Sequence, residues 1–150
     1  MDGLIIRDFM PGDLADFKEM CGSLFNSEAV VYEVGEKQME DTFQEIMAGN
    51  AFLRGLIIEK DGRTAGYAQL SFTYSNEAGG LVVWLEELYI KPEWQNGGLG
   101  RSFMQWLLQK YQGKAKRYRL EVSPENERVK DFYRAWGFGE LAYQQMILKA

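Results

Sequence analysis

The stretch from Leu81 to Tyr111 constrains the fold more than any other part of this chain. An apolar run, Leu81-Val82-Val83-Trp84-Leu85-Glu86-Glu87-Leu88-Tyr89-Ile90, leads through Lys91-Pro92-Glu93-Trp94 into a glycine loop, Gln95-Asn96-Gly97-Gly98-Leu99-Gly100. Phe103, Met104, Leu107, Leu108 and Tyr111 then recur at helical spacing and share one face. After Gly113, Tyr118-Arg119-Leu120-Glu121-Val122 reads as another strand. Strand, glycine turn, helix and strand make a βαβ unit, which is expected to be right-handed with parallel strands. Glycines at such a turn let the backbone approach a ligand, and the free amides of the first helical turn suit a phosphate. The unit therefore predicts an anionic, phosphate-bearing ligand.

Two common phosphate motifs fail here. A dinucleotide fingerprint needs a third glycine where Phe103 stands, and a P-loop needs Lys-Ser/Thr where Gly100 is followed by Arg101-Ser102. The pattern that fits is Gln/Arg-x-x-Gly-x-Gly/Ala, preceded by Leu88-Tyr89-Ile90-Lys91-Pro92-Glu93. Further on, Asn126 opens a segment that ends Phe132-Tyr133-Arg134-Ala135-Trp136-Gly137-Phe138. These two motifs, about a third of the chain, resemble the acetyl-CoA motif and the last motif of the GCN5-related N-acetyltransferases (GNAT).

Composition narrows the chemistry. At 150 residues, 46% apolar and 14% aromatic, the chain suits one folded domain over residues 1–150. No apolar run reaches the ~18 residues of a membrane span and no leader pattern opens the chain, so the expected location is cytoplasmic, away from membranes. The single cysteine, Cys21, excludes an internal disulfide and a multi-cysteine metal site. Histidine is absent, which removes His-based triads and His metal ligands. No metal is expected. A net charge of −5 argues against nucleic acid as a partner.

In chain order, Leu4 to Phe9 reads as a strand, and Asp13 as the cap of a helix burying Leu14, Phe17, Met20 or Cys21, and Leu24. Ala29 to Tyr32 fits a short strand or a loop, and a second helix starts near Glu36 and ends at Gly49-Asn50. Strands Phe52–Glu59 and Thr64–Tyr74 flank Asp61-Gly62, a hairpin signal. Lys114 to Arg117 reads as a solvated turn. Asn126 opens a helix burying Val129, Phe132, Tyr133 and Trp136, and Leu141 to Leu148 reads as a last strand. The order describes one mixed α/β fold. Joined to the resemblance, the expected architecture is a mixed, mostly antiparallel sheet of about six to seven strands with about four helices, splayed between the strands near 81–90 and 117–122.

The resemblance implies an acetyl-CoA-dependent N-acetyltransferase, with acetyl-CoA as co-substrate lying in that splay. Backbone groups of Leu88, Tyr89 and Ile90 would pair with the pantetheine arm. The loop Gln95, Asn96, Gly97, Gly98, Leu99, Gly100 and Arg101 would hold the pyrophosphate through the amides from Asn96 to Arg101. Asn126 would meet the pantetheine region, and Tyr133 would sit beside the thioester sulfur as the acid for the departing thiolate. Gln95 stands where arginine is commoner. Glu86 and Glu87 are the odd residues in an apolar strand, and neighbouring residues of a regular strand face opposite sides unless a bulge intervenes. At least one is expected to bind or deprotonate the amine, with Glu86 favoured because polyamine and thialysine acetyltransferases carry Leu-Glu-Asp/Glu there. The implied acceptor is a small-molecule primary amine, with a peptide or protein amine and a non-catalytic acyl-CoA-binding role as alternatives. A homodimer is compatible with the sequence. Cys21, on a helical stripe with no histidine to activate it, is read as core.

Overall fold

A computed structural model describes residues 1–150. Five strands, β1 (Leu4–Asp8), β2 (Leu53–Lys60), β3 (Arg63–Ser75), β4 (Gly80–Ile90) and β5 (Ala115–Leu120), form one sheet in that spatial order. Helices α1 (Leu14–Phe25), α2 (Glu36–Met47), α3 (Leu99–Lys110) and α4 (Glu127–Arg134) complete the fold. All strand pairs are antiparallel except β4–β5, the parallel pair of the βαβ unit. The Asp61-Gly62 hairpin forms because both residues adopt the left-handed backbone that a two-residue turn requires.

Helices on both faces explain why the central strands are nearly continuous apolar runs. On one face, Leu56, Ile58, Ala68, Leu70, Val83 and Leu85 pack with Phe103, Met104, Leu107 and Tyr111 of α3. On the other, Ile57 and Tyr67 pack with Phe9, with Phe17, Met20, Cys21 and Leu24 of α1, and with Met39 and Phe43 of α2. The stripes of α1 and α3 read from helical spacing are therefore largely the ones buried, whereas Val129, Phe132, Tyr133 and Trp136 of the last stripe are only partly buried.

Gly66 marks the tightest contact between β3 and β4. A Cβ there would lie 2.3 Å from the Tyr89 carbonyl oxygen, a backbone atom with nowhere to go. Gly66→Ala is expected to destabilise the protein by about 1–3 kcal/mol, read from the denaturation midpoint, because β4 must shift to admit the methyl group.

Three expectations are corrected and one open alternative is settled. The sheet has five strands, not six to seven: Leu141–Leu148 pairs with nothing, and Met146, Ile147 and Leu148 are 93%, 79% and 95% exposed. Its mostly apolar, uncharged run suits a strand, but a strand exists only where a neighbouring edge takes its backbone bonds. The tail is tied instead by side chains, Tyr143 to Glu77 and Gln145 to Glu121. Ala29–Tyr32 is turn and loop. Ala115 to Arg117, read as a turn, instead opens β5, where Arg117 pairs with Val82 in the ladder and with Glu77 through its guanidinium. Asp13 stands at the N-cap of α1 but makes no cap bond there. Its carboxylate turns back to the Met10 amide at 2.6 Å and to Arg7 at 2.8 and 3.0 Å. Burial works to raise its pKa, but these donors outweigh it and hold the carboxyl below its usual value.

Candidate active site

After β4, Pro92–Trp94 makes one tight turn and the glycine loop leads into α3. Asn96 and Gly98 have φ of 64° and 83°, left-handed values that fold the loop back on itself; Gly98 is the N-cap of α3. The Gln95 amide bonds to Pro92 and the Ser102 amide to Gly98, but no amide between them has an acceptor in the chain. Six consecutive backbone donors, Asn96 to Arg101, are thus free beside the positive end of α3. The Gln95 side chain ties the loop to the sheet, its Nε2 donating to the Ile90 carbonyl at 2.9 Å. Gly100 faces the Phe132 ring of α4, so the start of α3 and the helix carrying Tyr133 pack together.

β4 runs to Ile90, but its ladder with β5 ends at the pair Leu85–Leu120. Glu86 to Ile90 therefore keep one backbone edge without a strand beside it. The splay expected near residues 81–90 is real and begins at Glu86. At the same place the β3–β4 register slips: Leu70 opposes Leu85 and Gln69 opposes Glu87, so Glu86 is the extra residue of a bulge. Alternation puts Tyr67, Gln69 and Ser71 of β3 on one face. Ser71 Oγ donates to Glu86 Oε1 at 2.6 Å, and Tyr67 OH to Glu87 Oε1 at 2.7 Å. The bulge has turned both glutamates to the α1 side, which a regular strand forbids. Glu86 is exposed, Glu87 half-buried. Burial pushes the Glu87 carboxyl above its usual value, the Tyr67 bond opposes this, and the nearby Glu86 charge adds to it.

Tyr133 lies in α4 between Phe132 and Phe138, whose ring centroids are 5.0 and 5.7 Å away in edge-on geometry. Burial pushes its phenol up to about 12. It packs on the α3 side of the sheet while Glu87 belongs to the α1 side, and the unpaired end of β4 lies between the two sides. Asn126 caps α4, its Oδ1 accepting from the Val129 amide at 3.2 Å, which leaves its side-chain amide donors free. A cavity of about 740 Å³ is bounded by β5, α4 and the tail; Tyr133 borders it, but neither Glu86, Glu87 nor the glycine loop does. It owes its size to the outer edge of β5, which has no strand beside it.

Cys21 is core, as read, and burial with the Glu87 charge pushes its thiol up to about 12. It nevertheless touches Glu87, at 3.8 Å. Neither this contact nor the Tyr67 bond was legible in sequence. The available signal was Gln69, an uncharged polar residue in a run from Ala65 to Leu70 that is otherwise apolar, Tyr67 or glycine. Trp84, Trp94 and Trp106 are each covered by an arginine, Arg119, Arg63 and Arg54. No group of His, Cys, Asp or Glu side chains is placed to hold a metal ion, and no helix is long and apolar enough to cross a membrane.

Comparison with known proteins agrees with this geometry. A thialysine N-epsilon-acetyltransferase of Sus scrofa is 26% identical over 153 residues, covering 94% of this chain and 87% of that one. A possible acetyltransferase from Clostridium difficile 630 superposes with a TM-score of 0.83 at 14% identity, covering 99% of both chains. An aminoglycoside N-acetyltransferase in complex with CoA gives 0.73 at 22% identity, covering 97% of this chain and 94% of that one. The sequence model of the acetyltransferase (GNAT) family matches residues 19–138, most of the chain. This protein therefore belongs to the GNAT family of acetyltransferases, N-acetyltransferases that take their acetyl group from acetyl-CoA.

Proposed function

We propose that the protein transfers the acetyl group of acetyl-CoA directly to the primary amine of a small molecule, polyamine-like or amino-acid-like. The observation that carries this reading is the run of six unpaired amides, Asn96 to Arg101, next to the unpaired end of β4. The amides suit a pyrophosphate, and Leu88, Tyr89 and Ile90 offer the pantetheine arm a strand edge. Gln95 holds loop and strand in register with each other, and Asn126 contributes its free amide donors. Acetyl-CoA supplies the activated acyl group. The strand amides near Leu88 and Tyr89 stabilise the oxygen that gains charge, and Tyr133 gives its proton to the departing thiolate. At the other side of the edge, exposed Glu86 draws in the ammonium and Glu87 takes its proton.

The similarity to an enzyme named for thialysine supports an amino-acid-like acceptor, and two carboxylates on one face suit a cation. Direct transfer is favoured over an acyl-enzyme because Cys21, the one thiol, is buried and held protonated. Titrating CoA into ¹⁵N-labelled protein tests the placement. The amides of Asn96 to Arg101 and of Leu88 to Ile90 are expected to show the largest shifts; binding that leaves both groups unmoved overturns it.

A further inference from the structure

A small polar cluster lies within the apolar packing on the α1 side of the sheet. Tyr67 is wholly buried, and Cys21 and Gln69 are 2% and 9% exposed. Tyr67 OH donates to Glu87 Oε1, and the Cys21 thiol approaches that same oxygen. The known donors therefore crowd one oxygen of the carboxylate and leave Oε2 without a partner in the chain. Gln69 is the cross-strand register partner of Glu87, which sets their Cβ atoms roughly 5 Å apart. Its Oε1 is the one buried side-chain polar atom with no hydrogen bond. A buried orphan acceptor is costly and calls for a donor in some state of the protein.

We propose that Tyr67 and Gln69 are positioning residues that hold Glu87 in its two protonation states. Tyr67 donates to Oε1 of the carboxylate, and Gln69 accepts from Oε2–H of the acid. The inference rests on the role given to Glu87 above. In the proton transfer the ammonium N–H bond breaks and leaves its electron pair on nitrogen, while an O–H bond forms at Glu87 Oε2. The amine is then a neutral nucleophile, and the stored proton points at Gln69 rather than back at the nitrogen. The titratable groups bearing on Glu87 are Cys21 from α1, Tyr67 from β3 and Glu86 from its own strand. Burial keeps both Cys21 and Tyr67 protonated, so Glu87 is the member of the buried cluster that titrates.

The test is a pair of variants with opposite expected signs. Tyr67→Phe removes the donor to the carboxylate, so the acid limb of the kcat/KM profile should move up by roughly one pH unit. Gln69→Met removes the acceptor for the acid, so the limb should move down by roughly half a unit to one unit. A purely structural role would lower the unfolding midpoint without moving the limb. The Glu87 side-chain carboxyl, assigned by its loss in Glu87→Gln and followed by ¹³C NMR, gives the same two shifts without any turnover. Opposite NMR shifts sustain the clamp; no shift in either variant, or shifts of one sign, overturns it. Should Tyr67→Phe fail to fold, the downward shift of Gln69→Met decides alone. An acid limb that survives in Glu87→Gln instead removes Glu87 as the base while the NMR shifts still judge the clamp.

Discussion

Tyr133→Phe is expected to lower kcat by about 10²- to 10³-fold and to leave acetyl-CoA affinity within about twofold, measured by initial rates and calorimetry. The substitution removes one oxygen and keeps the ring that packs edge-on against Phe132 and Phe138, so the fold should not change. On the proposed mechanism, what it removes is the proton for the thiolate. A thiolate leaving with a conjugate acid near ~8.5 receives its proton from a phenol that burial holds at about 12. That transfer is uphill by roughly 3–4 units, about 5 kcal/mol, which fits within the ~16 kcal/mol barrier of an enzyme turning over about ten times per second. The high value also keeps the proton in place: no fall in activity from Tyr133 is expected until the pH nears about 12. An unchanged kcat would mean that water or another group supplies the proton.

Glu87→Gln is expected to cost about 10²-fold in kcat/KM near neutral pH and to abolish the acid limb of its pH profile. The sign follows from the environment. Burial, and then the charge of Glu86, raise the Glu87 carboxyl above its usual value against the bond from Tyr67. A proton acceptor must be ionised, so activity rises with pH through this raised value and the limb lies above the ~4.3 of an ordinary glutamate. Glu86→Gln should behave differently. Its carboxylate is exposed and screened, so a change of a few fold in KM with the acid limb retained is expected. If the limb disappears in Glu86→Gln and persists in Glu87→Gln, the two roles are exchanged.

The parts of this site that sequence reveals are the local ones. The glycine loop was legible because Gly98 and its neighbours act within a few residues, through backbone conformation and helix-end amides. Asp61-Gly62 was legible for the same reason. The bulge at Glu86 was not placed, since it is a property of two strands: β4 alone does not show that Gln69 opposes Glu87 and Leu70 opposes Leu85. The Tyr67–Glu87 bond inherits that difficulty. Asp13 was misread as a helix cap because its partner Arg7 lies on β1, whose position beside Glu59 of β2 is set by the sheet. Leu141–Leu148 has the apolar, uncharged composition of a strand, but composition does not supply the neighbouring edge.

The most direct test of the central claim is thiol release from acetyl-CoA against a panel of polyamines, lysine analogues, aminoglycosides and short peptides. Turnover with a small primary amine, absent without the amine and reduced in Tyr133→Phe, is the predicted result. Failure to bind acetyl-CoA at all would contradict the account. Binding without turnover on any amine would assign the glycine loop and the open edge of β4 to an acyl-CoA-binding role instead.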